Sequence, residues 1–163
     1  MADFPEIPND LLYRRDLYCT RDDKTVASEK PGIGLEAVVW PAAKQNILKV
    51  HRLPNTFKNE RQVYQRLDAT NTQRLKGFSI PQRLHYDAEP LVVELSFVFP
   101  PYILDFGAAR VIPRPSDFDL DRIEAEFARQ HGADWPDIRR LLEALMQLGV
   151  YYSDAHDQNI RPR

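Results

Sequence analysis

The feature that most constrains this chain is the run Pro90-Leu91-Val92-Val93-Glu94-Leu95-Ser96-Phe97-Val98-Phe99, and the double proline Pro100-Pro101 that stops it. Apolar, β-branched and aromatic residues dominate the run, which predicts a strand. Two successive prolines cannot continue a ladder, so the strand ends there and a junction between two lobes is predicted at that point. Strand-like runs concentrate in the first two-thirds of the chain and helix-like runs in the last third. The expected fold class is therefore α+β. A twisted antiparallel β-sheet lobe with one packed helix should span 1–99, and a short helical lobe should span 100–163.

The 163 residues suffice for one domain with a real core or for two small lobes. Apolar residues at 43% and charged residues at 28% are in the globular range, not the disordered one. A net charge of −2 supplies no basic field, which argues against nucleic acid as a partner. The single cysteine, Cys19, excludes an internal disulfide. No run approaches 18 uninterrupted apolar residues, and the N-terminus lacks a basic-then-apolar leader pattern. The expectation is a soluble, cytoplasmic protein with no membrane partner.

Residues 1–16 read as an irregular or partly helical lead-in. Tyr18-Cys19-Thr20 and Thr25-Val26-Ala27 read as short strands around the polar turn Arg21 to Lys24. Gly32 and Gly34 then precede the β-branched pair Val38-Val39. Such glycines permit either a plain hairpin turn or a turn whose successive amides hold a phosphate. Pro41 to Asn46 reads as a second turn. Lys49 follows, inside the apolar run Ile47-Leu48-Lys49-Val50. An interior lysine is costly without a charge partner. Pro54-Asn55-Thr56 opens a helix that sets Glu60, Tyr64 and Leu67 on one face, so Glu60 points where the apolar face points. A Lys49–Glu60 ion pair is the expectation.

Residues 68–79 read as turn-like, and 80–86 as a short extended segment. Tyr102-Ile103-Leu104 is a second apolar run, ending in Asp105-Phe106-Gly107. Ser116 or Asp117 caps a helix to about Gln130, closed by Gly132. Trp135-Pro136 opens the last helix, whose stripe of Ile138, Leu141, Leu142 and Leu145 is core and whose stop is Gly149. Asp154, His156, Asp157 and Asn159 then crowd into six residues, a density of acid, imidazole and amide that suits a metal-phosphate site.

In order and spacing these segments resemble the protein-kinase-like fold, including its small-molecule phosphotransferase branch. Gly32-Ile33-Gly34 resembles the glycine-rich loop, with Ala37 where a third glycine usually stands. Ile47-Leu48-Lys49 resembles the tripeptide ending in the phosphate-pairing lysine, and Asn59-Glu60 the start of the helix that carries its partner. Val92 to Phe99 resembles the strand into the hinge, and Asp154-x-His156-x-x-Asn159 the catalytic loop.

The resemblance implies ATP and Mg²⁺ as cofactors. Gly32 and Gly34 would cover the phosphates, and Lys49, fixed by Glu60, would hold them. The hinge around Phe97 and Phe99 would bind adenine. Asp154 would deprotonate or orient the acceptor hydroxyl, and Asn159 would bind the metal. Two departures stand out. Tyr152 and Ser153 replace the family's His and Arg, and Asp-Phe-Gly, which the family carries after its catalytic loop, precedes it here. Three readings of that order remain open: Asp105 supplies the metal ligand from upstream, the tripeptide is a coincidence, or the helical lobe is cut short.

Two functions follow. One is a minimal kinase acting on an unknown acceptor. The other is an inactive kinase-like module that binds a protein partner. Apolar surface left on the last helix would be covered by self-association into a homo-oligomer.

Overall fold

The computed structural model describes residues 6–28, 30–103, 105–111, 113–153 and 159–162. In chain order it contains helix α1 (Asn9–Arg21) and strands β1 (Gly32–Ile33), β2 (Ala37–Ala42) and β3 (Asn46–His51). Helix α2 (Pro54–Ala69) and strands β4 (Arg74–Leu75), β5 (Phe78–Ser79), β6 (Arg83–Asp87) and β7 (Val92–Ser96) follow. Next are β8 (Tyr102–Ile103), β9 (Arg110–Val111), helices α3 (Leu120–His131) and α4 (Trp135–Gln147), and strands β10 (Val150–Tyr151) and β11 (Ile160–Arg161). The fold class is α+β, as expected. The chain forms two compact units, Met1–Phe57 with Arg83–Phe97, and Lys58–Gln82 with Val98–Arg163. It passes from one to the other inside α2, returns at residue 83, and leaves again after Phe97.

The first unit is an antiparallel sheet in the order β1-β2-β3-β7-β6. Side chains alternate across a strand, and here the even-numbered positions of its central strands face α1. Val38, Trp40, Ala42, Leu48, Val50 and Val92 form one buried cluster with Leu11 and Tyr18 of α1. Tyr18 to Thr20 are therefore helical, not a strand. Leu11 and Tyr18 lie two turns apart and are both buried, and their packing on the sheet overrides the local β-propensity of Tyr-Cys-Thr. The other expected strand, around Val26, is reduced to one bridge to Ala42. β2 runs on through Pro41 where a turn was expected. Beyond the end of β1 the strand pairs with β3 on one side, and on the other the Pro41 carbonyl accepts from the Ala27 amide at 2.8 Å.

In the second unit a four-stranded sheet runs β11-β8-β5-β4, beside the two-stranded ladder β10-β9. The turn-like stretch 68–79 contains the hairpin β4–β5. α3 starts later than expected: Asp119, not Ser116 or Asp117, is its cap, accepting from the amides of Asp121 and Arg122 at 3.1 and 3.3 Å. Its stop at Gly132 is as expected. The stripe Ile138, Leu141, Leu142 and Leu145 of α4 is buried, and Gly149, at φ 75°, ends the turn that follows. No helix among the described residues is long and apolar enough to cross a membrane.

Candidate functional site

In the first unit Lys49 lies on β3, paired with Val39 of β2 and Val93 of β7, and is 3% exposed. Its odd position sets it on the face opposite α1. The two glycines form a tight hairpin entry. Gly32 pairs with Val39, and the Gly34 amide donates to the Ala37 carbonyl at 2.9 Å. A Cβ on Gly34 would stand 3.2 Å from that same carbonyl oxygen, so the close approach itself calls for glycine. Leu35 at the tip is 92% exposed. At the end of β7, Phe97 and Phe99 are exposed, and the Phe97 amide donates to the Gln45 carbonyl at 3.0 Å.

The other face of the same sheet holds a polar centre that sequence reasoning missed. Glu94 of β7 is buried, and its carboxylate accepts from the Tyr18 hydroxyl at 2.9 Å, the Asn46 amide at 2.8 Å and the Lys24 ammonium at 3.1 Å. The Tyr18 hydroxyl also lies 3.0 Å from Nδ1 of His85. Burial pushes the Glu94 carboxyl up, but the hydrogen bonds from Asn46, Lys24 and Tyr18 and the Lys24 charge prevail and hold it below the usual range. Burial and the Glu94 carboxylate push the Tyr18 phenol well above its ordinary value. Glu94 was legible only as one polar letter inside an apolar strand.

The second unit holds Glu60, Asp105 and Asn159. Two antiparallel ladders set their arrangement. β8 pairs with β11, Ile103 opposite Ile160, and β9 pairs with β10, Arg110 opposite Tyr151. The segment from β8 to β9 carries Asp105-Phe106-Gly107. The segment from β10 to β11 carries the catalytic-loop match and ends in Asn159. The strands that flank one segment thus pair with the strands that flank the other. Asp105 leaves β8 at the end where Asn159 enters β11. Asp154, His156 and Asp157 lie outside the described residues.

The Asp-Phe-Gly turn is held from several sides. Asp105 Oδ1 accepts from the Gly107 amide at 2.8 Å, a local turn that fixes the carboxylate. The Asn59 side-chain amide donates to the Gly107 carbonyl at 3.2 Å, and the Phe106 amide makes a long contact with Glu60 Oε1 at 3.5 Å. Phe106 is fully buried between two aromatic edges, Tyr64 at 5.5 Å and 88° and Tyr152 at 5.8 Å and 69°. Burial, then the negative charges of Glu60, Asp105 and Asp68, push the Tyr64 phenol far above its ordinary value. Glu60 and Asp105 thus act on one ring, although they are 45 positions apart in sequence (105 − 60).

Lys49 and Glu60, expected as partners, fall in different units, and each is buried. Tyr152 was read as a departure from the family pattern. It has a structural use here, since its ring forms one wall around Phe106. Asp105 and Asn159 offer a carboxylate and an amide oxygen, an all-oxygen set of the hard type that suits Mg²⁺. Among the described residues no group of three His, Cys, Asp or Glu side chains could hold a metal. No family model matches the chain, and neither does any curated protein.

Proposed function

We propose that this chain is a kinase-like protein that binds Mg-ATP and transfers phosphate to a small hydroxyl acceptor. One observation carries the reading. The ladders β8–β11 and β9–β10 pair the strands that flank Asp105-Phe106-Gly107 with the strands that flank the stretch ending in Asn159, which supports a shared site although the chain visits the two in the reverse of the expected order. This favours Asp105 as a metal ligand acting from upstream over a coincidental tripeptide, because pairing between strands is indifferent to which strand comes first in sequence. The five-stranded antiparallel sheet with a buried lysine on its central strand β3 supports the same reading.

In this proposal Asp105 and Asn159 hold the cation, and Lys49 and the Gly32–Gly34 turn take the phosphates. Asp154 accepts the proton of the acceptor hydroxyl. Glu60 and Asn59 keep the Asp-Phe-Gly turn in place through the Phe106 amide and the Gly107 carbonyl. Bound Mg²⁺ would supply neutralisation of charge on the phosphate oxygens.

Saturation at ~100 times Kd stabilises a protein by about 2.7 kcal/mol. At roughly 2–4 °C per kcal/mol for a chain of this size, Mg-ATP should raise the melting temperature by about 5–10 °C. Lys49→Met should abolish the shift, and Asp105→Asn should remove the part that depends on Mg²⁺. A flat melt with saturating Mg-ATP refutes the proposal. The inactive-module reading draws on the Gly34 and Phe97 amides, which already donate within the protein. It predicts no turnover, so phosphate transfer that requires Asp154 decides against it.

A further inference from the structure

The first unit contains a cleft of about 280 Å³ with the buried Glu94 in its lining. One wall is the turn that leaves α1, Asp22 to Thr25. The other is the connection from β2 to β3, through Ala43, Lys44 and Asn46. The Ala43 amide donates to the Thr25 carbonyl at 3.2 Å and ties the walls together. Each wall is a tight turn, with Asp23 at φ 48° and Lys44 at φ 61°. All of these residues belong to the first unit, so the cleft stands apart from the phosphoryl-transfer reading.

The charges in the cleft give it a definite character. Glu94 and Lys24 neutralise each other, 3.1 Å apart. Asp22, Asp23 and Lys44 remain, and none of these side chains makes an ion pair or hydrogen bond among the described residues. Two uncommitted carboxylates therefore stand on one wall and one uncommitted ammonium on the other. α1 ends at Arg21, and the carbonyl end of a helix adds to the preference for positive charge on the aspartate side. Size and polarity narrow the ligand further. At ~30 Å³ per water the space takes on the order of nine waters, close to the heavy-atom count of an amino acid with a long side chain. Ala42 and Ala43 are the apolar residues of the lining, so a greasy ligand has little to pack on.

We infer that this cleft binds a free basic amino acid, with its two cationic groups at Asp22 and Asp23 and its α-carboxylate at Lys44. Two positive charges and one negative are the complement of what the cleft leaves uncommitted. A diamine would leave Lys44 unanswered, and an amino acid with an uncharged side chain would leave one aspartate unanswered. Because Asp23 and Lys44 are exposed, binding should weaken as salt rises.

The test uses the full chain with L-lysine as probe. Cadaverine, which lacks the carboxylate, and L-norleucine, which lacks the side-chain ammonium, are the controls. Binding is followed by amide shifts in heteronuclear NMR. Lysine should perturb the amides of residues 22–25 and 43–46 and bind more tightly than either control. Lys44→Glu should weaken lysine binding about 3- to 10-fold, the loss expected when a solvent-exposed ion pair is replaced by a like-charge contact. The same variant should bind cadaverine more tightly than the parent does, an opposite change that misfolding cannot mimic. Asp22→Asn combined with Asp23→Asn should erase the advantage of lysine over norleucine. The inference is overturned if lysine leaves those amides unmoved, if either control binds the parent as tightly as lysine, or if Lys44→Glu changes lysine and cadaverine binding alike.

Discussion

Glu94→Gln probes the polar centre of the first unit most directly. The Glu94 carboxylate is 1% exposed and serves Tyr18, Asn46 and Lys24. Glutamine keeps its shape and one of its oxygens but removes the charge. With its oxygen toward Asn46 and Lys24, its NH₂ faces the Tyr18 hydroxyl. That hydroxyl can rotate to accept it and donate instead to Nδ1 of His85, 3.0 Å away. No donor is stranded, so the loss is the difference between charge-assisted and neutral hydrogen bonds. That is about 1 kcal/mol for each of the two bonds from Asn46 and Tyr18. The Lys24 pair adds only about 0.5 kcal/mol, because the lysine side chain is 39% exposed to screening solvent.

The total is about 2–3 kcal/mol at pH 7. Its pH dependence has a definite sign. The folded carboxyl is held below its ordinary value of 4.5, so the stability it contributes is present above that value and is lost as pH falls through the folded pKa. The gap between parent and variant should therefore close on acidification. Urea unfolding of the first unit, read by Trp40 fluorescence in a Trp135→Phe background, measures it at pH 7 and near pH 3. A variant within about 0.5 kcal/mol of the parent at pH 7, or a gap that does not shrink with acid, refutes this account of the centre.

Two further predictions concern the second unit. Phe106→Ala should cost about 3–4 kcal/mol, because the ring is fully buried between Tyr64 and Tyr152. Guanidinium unfolding measures this, and Phe106→Leu should recover more than half of the loss. Asp119→Ala should cost about 1 kcal/mol, since it strands the Asp121 and Arg122 amides at the start of α3. Hydrogen exchange should speed up in the first turn of that helix and not in α4.

The sequence alone determined the elements whose physics is local. The glycine hairpin, the Lys49 strand, the strand that stops before Pro100-Pro101 and the amphipathic helix α4 follow from turn residues, ladder chemistry and periodicity. So did the list of chemically apt residues, from Lys49 and Glu60 to Asp105 and Asn159. Four things required the tertiary structure. Tyr18 to Thr20 became helical because a sheet face was there to bury Leu11 and Tyr18. Residues 58–82 fall in the second unit, although they precede the double proline. Glu94 acquired its meaning from Tyr18, Lys24 and Asn46, which lie 48 to 76 positions away in sequence. Above all, the order of Asp105 and the catalytic-loop match along the chain looked wrong for a shared site. Strand pairing joined the strands that flank the two segments regardless, because hydrogen bonds between strands depend on direction and register, not on which strand was made first.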